Sequence, residues 1–239
     1  MEVSPGEVMV AQAAREIADG ETVFVGMRLP LIAFVVAKRT HAPGAIGLFE
    51  TGVVRDAPSP ELLYTMGDTP NVRGATWCAR TLDLMGLLQQ GIVDAGFIGG
   101  AEMDRHGNLN TTAIGRDRAH PAVQLPGSGG GADIASLAKR LIVIMAHDKK
   151  RLREKVDFIT SPGERAAVLI TTLGVFRFVR GEAVLASYHP GASVRACIDN
   201  TGWTVQVGAD VRETPRPSED VLRIIRGYDP DGFWTRRAE

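Results

Sequence analysis

Cysteine is nearly absent: the 239 residues hold two, Cys78 and Cys197. Two thiols cannot make a disulfide framework, and neither has a Cys or His at metal-ligand spacing. Both are read as reduced structural thiols in a chain with no metal site. Excess charge is missing too, since 27 Lys and Arg stand against 28 Asp and Glu, a net charge of −1. No basic block exceeds Lys149-Lys150-Arg151, which excludes the broad positive field that holds nucleic acid. No uncharged apolar run approaches the ~18 residues that span a bilayer. The N-terminus, Met1-Glu2-Val3-Ser4-Pro5-Gly6-Glu7, lacks the basic-then-apolar pattern of a signal peptide. The expectation is a cytoplasmic protein that partners neither membrane nor nucleic acid.

What is present is an ordinary globular composition, 44% apolar and 23% charged. No repeat or low-complexity linker divides it, so a single domain over 1–239 is expected. The 27 glycines are gathered, above all in Gly99-Gly100 and Gly127-Ser128-Gly129-Gly130-Gly131.

Ser4-Pro5-Gly6-Glu7 predicts a capping box and a helix with Val10, Ala14, Ile17 and Ala18 on one face, stopped at Gly20. Strand Thr22 to Val25, helix Leu31 to Lys38 and strand Ile46 to Glu50 follow. The alternation recurs as helix Leu82 to Gln90, strand Val93 to Ile98, helix Ile134 to Lys139 and strand Leu141 to Met145. Strands apolar throughout suit a parallel sheet covered on both faces, a three-layer α/β/α arrangement. After about residue 155 the texture becomes β-rich: Val156 to Thr160, Ala167 to Thr171, Val175 to Val179 and Ala183 to Ser187 predict antiparallel pairing. Pro217-Ser218-Glu219 opens a closing helix through Ile225, and the tail Asp229 to Glu239 reads as irregular.

Three clusters place polar or glycine residues directly after an apolar strand, where open α/β sheets keep their ligand sites. In Leu48-Phe49-Glu50-Thr51-Gly52, a carboxylate ending a buried strand is either functional or salt-bridged and exposed; Gly52 permits the tight turn that would present it. In Gly99-Gly100-Ala101 a substrate can approach the backbone and its amides. The following Asp104, His106, Gly107 and Asn108 read as a tight turn, not a metal or catalytic pair. In Gly127 to Ala132 the spacing matches the dinucleotide pattern Gly-x-Gly-x-x-Gly/Ala. The segment before it, Pro121 to Pro126, is bracketed by prolines and too short for a central strand, so NAD binding is rejected. What survives is a glycine nest at a helix start, fit for an oxyanion or a pantetheine arm. His147 reads as a hydrogen-bonded structural histidine, Lys149 to Arg151 as a solvated helical face, and His189 as a turn residue.

Taken in order, these clusters resemble the β subunit of class I coenzyme A transferases, most closely the glutaconate CoA-transferase branch. The matching pieces run from Gly26-Met27-Arg28-Leu29-Pro30 through Phe49-Glu50-Thr51-Gly52, Gly99 to Asp104, Gly107 to Asn110, Gly127 to Ala132 and His147 to Lys150. Ser161-Pro162-Gly163, Leu173 to Phe176 and His189-Pro190-Gly191 complete the set, so nearly the whole chain is covered. The resemblance implies that Glu50 is the nucleophile of a ping-pong CoA transfer through an acyl-glutamyl anhydride and a glutamyl-CoA thioester. It nominates amides at Gly129, Gly130 and Gly131, with Gly99 and Gly100, for the oxyanions, each donor worth about 3–4 kcal/mol. Gly100, Ala101 and Asn108 would wall the CoA tunnel. CoA enters as the acyl-CoA substrate. A homologous α subunit, in an α2β2 or larger assembly, would shape the acyl pocket for a short-chain dicarboxylic acyl-CoA. Thr51 departs from the pattern, standing where serine or asparagine is usual. The alternatives are a CoA-thioester ring-opening hydrolase or decarboxylase on the same fold, relatives in which another residue replaces the glutamate, and a non-catalytic acyl-CoA-binding subunit.

Overall fold

In the computed structural model, which describes residues 2–115, 117 and 119–236, the first helix starts where its cap requires. The Ser4 hydroxyl accepts from the Glu7 amide at 3.2 Å, and the Glu7 carboxylate accepts from the Ser4 amide at 2.8 Å. This capping box opens α1 (Pro5–Arg15) with proline in the first turn, where no donor is needed. The helix ends at Arg15, short of Ile17 and Ala18. Gly20, at φ 77°, turns the chain into β1 (Thr22–Phe24). Next come α2 (Leu29–Arg39), β2 (Ile46–Phe49), β3 (Val53–Arg55), the single turn α3 (Thr69–Val72), β4 (Trp77–Cys78) and α4 (Thr81–Gln89). The middle holds β5 (Ala95–Ile98), β6 (Glu102–Asp104), β7 (Leu109–Asn110), β8 (Ala113–Ile114), β9 (Val123–Gln124), α5 (Gly131–Leu137), β10 (Arg140–Met145) and β11 (Leu152–Arg153). The chain closes with β12 (Ala166–Thr171), β13 (Gly174–Val179), β14 (Glu182–Tyr188), α6 (Val194–Asp199), β15 (Gln206–Glu213) and α7 (Glu219–Tyr228).

Ten strands form one sheet in the order β15-β14-β13-β12-β10-β5-β1-β2-β3-β4. Its centre, β12-β10-β5-β1-β2, is parallel. Both flanks turn antiparallel, β2-β3-β4 on one side and β12-β13-β14 on the other, with β15 returning parallel to β14. Parallel strands need both faces covered. Helices α1, α2 and α7 pack together on one face, around Met9, Ile32, Phe34 and Ile225, and α4 and α5 pack on the other, around Leu84, Leu88 and Ile134. The three-layer α/β fold expected from the alternation is present.

The expected strand Val156 to Thr160 does not form. The segment runs as coil and is spent on polar contacts: the Asp157 amide donates to the Glu102 carboxylate at 3.2 Å, and the Thr160 hydroxyl accepts from the Thr111 amide at 2.9 Å. The tail is irregular over 229–236, its last three residues lying outside the described set, but it is firmly held. The buried Asp229 carboxylate accepts from the amides of Phe233, Trp234 and Thr235 and from the Thr235 hydroxyl.

Candidate active site

Because β10, β5, β1 and β2 are neighbours and parallel, their carboxyl ends open side by side. The loops leaving them, Ala146 to Arg151, Gly99 to Ala101, Gly26 to Pro30 and the Glu50 turn, line one cavity of about 820 Å³. This is the crevice position that open α/β sheets use for ligands.

Glu50 follows β2 and is half-buried there. The turn beyond it needs glycine: Gly52 sits at φ 100°, and a Cβ would lie 2.1 Å from the Ala79 carbonyl oxygen. Its own amide donates to the Phe49 carbonyl at 2.8 Å, closing the turn tightly. The Thr51 hydroxyl donates to the Met66 carbonyl oxygen at 3.1 Å.

The glycine run meets Glu50 directly. The Gly130 amide donates to Glu50 Oε1 at 2.8 Å. A Cβ on Gly130 would stand 3.0 Å from that oxygen and 2.7 Å from Met85 Cε, so the approach requires the bare backbone. Gly129, at φ 48°, makes the bend before it. The three glycines are not equivalent donors, because the Gly131 amide is committed to the Ser128 carbonyl at 2.8 Å. Gly127 to Gly131 do not follow a sheet strand: β9 pairs with β8 in a separate two-stranded ribbon. A dinucleotide turn grows from a central strand, so this geometry is of another kind.

Gly99, Gly100 and Ala101 line the cavity, with the Ala101 amide donating to the Asn110 carbonyl at 3.0 Å. Asn108 does not reach it. Its side-chain carbonyl accepts from the Gly163 amide at 3.0 Å, and its Nδ2 donates to both Asp104 carboxylate oxygens. Asp104 also accepts from the amides of His106 and Asn108, the tight turn expected there.

The cationic run proves different from the expected helical face. Asp148 accepts from the amides of Lys150 and Arg151, folding residues 148–151 into a turn that brings both side chains to the cavity lining. His147 is buried, with Nδ1 2.8 Å from the Thr171 hydroxyl and Nε2 3.1 Å from the Cys197 carbonyl. His189 is buried as well, between the Thr214 hydroxyl at 3.0 Å and the Thr171 carbonyl at 2.8 Å. Desolvation pushes both down to about 4, against the weaker raising effect of their backbone hydrogen bonds. The Cys197 thiol is buried and pushed up to about 11 by desolvation, while Cys78 is exposed on the edge strand.

Two further lining residues, Arg28 and Trp234, are given no role by the sequence. Arg28 adopts φ 71° and ψ −120°, a region that costs a non-glycine residue about 1–3 kcal/mol. Its guanidinium carbon lies 5.4 Å from the Trp234 ring centre. The rule that finds Glu50, a polar residue just past a strand, could have found Arg28 also; nothing local marks Trp234, which arrives from the tail.

A carboxylate held by a backbone amide in a crevice at the ends of parallel strands defines the class, an α/β chain with an enzyme's site. Residues 7–200 match the family model described as coenzyme A transferase. The β-type subunit of 3-oxoadipate CoA-transferase from Pseudomonas knackmussii is 34% identical, with 95% of this chain and 93% of that protein covered. The corresponding subunit of glutaconate CoA-transferase from Acidaminococcus fermentans is 32% identical over 92% of this chain and 90% of that protein. A crystal structure of the glutaconate enzyme superimposes with a TM-score of 0.91 at 28% identity, covering 98% of each chain. A structure of the decarboxylase AibA/AibB gives 0.90 at 31% identity, covering 97% of each chain. The chain belongs to the coenzyme A transferase family, and is a β-type chain of such an enzyme.

Proposed function

We propose that this chain moves CoA from an acyl-CoA to an acceptor carboxylate with Glu50 as the nucleophile, in complex with a homologous α-type subunit. A carboxylate is both nucleophile and leaving group, so one exchange divides into easier halves. The Glu50 carboxylate attacks the thioester carbonyl, the C–S bond breaks, and an acyl-glutamyl anhydride and CoA thiolate result. The thiolate then attacks the glutamyl carbonyl, releasing the donor's carboxylate and leaving a glutamyl-CoA thioester. An acceptor carboxylate reverses these two steps, regenerating Glu50 and releasing the new acyl-CoA. No net proton is needed in either half.

The observation that carries this reading is the Gly130 amide on Glu50 Oε1. When the thiolate or the acceptor attacks the glutamyl carbon, negative charge develops on a Glu50 oxygen, where this donor already points. The amide serves those steps. An oxyanion on the substrate's own acyl carbon needs other donors, and the candidates are Gly99 and Gly100 on the cavity lining, with Gly129 next to Gly130. The same requirement supports a partner chain, in an α2β2 or larger assembly, and both relatives are named as single subunits of their enzymes. Exposed Trp77 and Leu82, at and beside the edge strand β4, suit burial against it. Lys150 and Arg151 are the groups for CoA phosphates, and CoA itself is the substrate carrier. The acids named in the two relatives are dicarboxylic, which supports a short-chain dicarboxylic substrate. A cytoplasmic location fits the two free thiols.

Incubating the assembled complex with acyl-CoA and no acceptor is expected to leave a hydroxylamine- and borohydride-sensitive adduct on the Leu48-to-Arg55 peptide. An unmodified peptide from a complex that binds acyl-CoA sinks the transferase reading and leaves decarboxylation or hydrolysis on this scaffold.

A further inference from the structure

Every arginine beside the cavity except one is tied to a carboxylate. Arg151 pairs with Asp148, and Arg153, behind it, pairs with Glu102 and Asp157. Among the described residues, Arg28 has no carboxylate partner. It has instead a platform, for its guanidinium lies over Trp234. That indole is fixed by three devices: its ring N–H donates to the Leu63 carbonyl at 2.9 Å, its backbone amide donates to buried Asp229 at 3.1 Å, and Phe233 packs edge-on against it at 4.6 Å. Stacking on an aromatic face leaves the in-plane N–H groups of a guanidinium available for a planar anion. An unpaired cation so held in a cavity containing Glu50 points to an anionic ligand.

We infer that Arg28, stacked on Trp234, receives the distal carboxylate of the acyl group and so determines selection of dicarboxylic over monocarboxylic substrates. The inference rests on the transferase reading of the cavity and names its substrate class from this chain's residues. Position separates this carboxylate from the CoA phosphates. The Arg28 loop leaves β1, which lies directly beside β2 and the Glu50 turn, neighbouring strands being about 4.8 Å apart. A chain of a few carbons attached at Glu50 reaches the adjacent loop. The phosphates of CoA are separated from the thioester by the whole pantetheine arm, and the Lys150-Arg151 turn, after β10, lies two strands further from β2. Met27 and Met66 line the same cavity and offer apolar contact to the intervening carbons. Trp234, under the Arg28 guanidinium, packs on the α1-α2-α7 side, whereas Gly130 opens α5 on the opposite side.

The test uses the chain in complex with its α-type partner and two unreactive thioethers of CoA, one ending in a carboxylate and one in a methyl group at equal chain length. Equilibrium binding is expected to favour the carboxylate probe by at least about tenfold, the scale of one charge-assisted pair. Arg28→Gly relaxes the positive φ and therefore keeps the fold. It should abolish that preference while the methyl probe binds within about twofold of the unsubstituted complex. Trp234→Ala should reduce the preference in the same direction. No preference in the unsubstituted complex, a preference that survives Arg28→Gly, or equal weakening of both probes overturns the inference. Binding of thioethers does not involve Glu50 chemistry, so failure of the Glu50 adduct in the same preparation registers separately.

Discussion

Glu50 sits at the meeting of three local demands, and each gives a substitution with its own signature. In the proposed mechanism the carboxylate is the reacting group, so Glu50→Ala is expected to abolish transfer while the complex still assembles and binds CoA; size-exclusion chromatography with CoA titration checks the second half. Gly130 must present its amide without a side chain. Gly130→Val puts carbon where Met85 and Glu50 already stand and should lower kcat by about 10²-fold or more, the scale of a lost oxyanion donor. Thermal stability should change little, because Ser128 and Gly129 beside it are exposed and let the loop shift. Gly52 is a structural requirement. Gly52→Ala meets the Ala79 carbonyl and a positive φ together, so a loss of about 3 kcal/mol in chemical denaturation is expected. Glu50 is legible in the sequence because a carboxylate seldom ends a buried apolar strand without cause, whereas the glycine run shows only by its clustering, since no strand of the main sheet directly precedes it. Asn108 is nominated by resemblance alone, and its hydrogen bonds to Asp104 and Gly163 make it a brace for a loop.

Among the elements, those with strong local signals lie where the pattern puts them. Ser4 and Ser218 both cap helices, α1 and α7, and the apolar run of β10 is central in the sheet. The misread segments share a cause: their conformation is set by side chains outside the pattern of apolar residues. Val156 to Thr160 has strand-like residues but is drawn out of the sheet by Glu102 and Thr111. Lys149 to Arg151 is folded by Asp148, which competes with a helix for the same amides. Glu7 shows how local and distant roles combine, since it completes the α1 capping box and also accepts from Arg226 of α7 at 2.6 Å. Burial raises its carboxyl pKa, but hydrogen bonds from Arg226 and Ser4 outweigh that, leaving it below the usual value. Glu7→Ala loses cap and interhelix pair together and is expected to cost about 2–3 kcal/mol, against about 1 kcal/mol for Ser218→Ala, which loses a cap alone. Urea midpoints for the two variants test the difference.

At the scale of the molecule, the parallel centre and the antiparallel flank are joined at Thr171, the last residue of β12, and two buried histidines meet there. His147, beyond β10, contacts the Thr171 hydroxyl and the start and end of the Cys197-to-Thr201 turn. His189, beyond β14, contacts the Thr171 carbonyl and Thr214 beyond β15. Each is held neutral by desolvation, with its value lowered from 6.5 to about 4. Between those values the unfolded chain binds protons that the folded chain refuses. The stabilisation is therefore fully present above pH 6.5, falls as pH drops toward 4, and is exhausted below it. Each histidine contributes a slope approaching about 1.4 kcal/mol per pH unit inside the window. The expected result is a urea midpoint that falls steeply from pH 6.5 to 4, beyond what the carboxylates produce at the lower end. His189→Gln, which can keep a hydrogen bond to Thr214 without titrating, should remove about half of that slope while lowering stability at pH 7 only modestly. An unchanged slope in that variant would show that His189 charges without opening the junction. The Glu50 crevice lies at the carboxyl ends of the same parallel strands, and β10 leads both to the His147 contacts and to the Lys150-Arg151 turn. Acid should therefore loosen the Lys150-Arg151 end of the cavity first, and acyl-CoA affinity should decline within this window before the sheet unfolds.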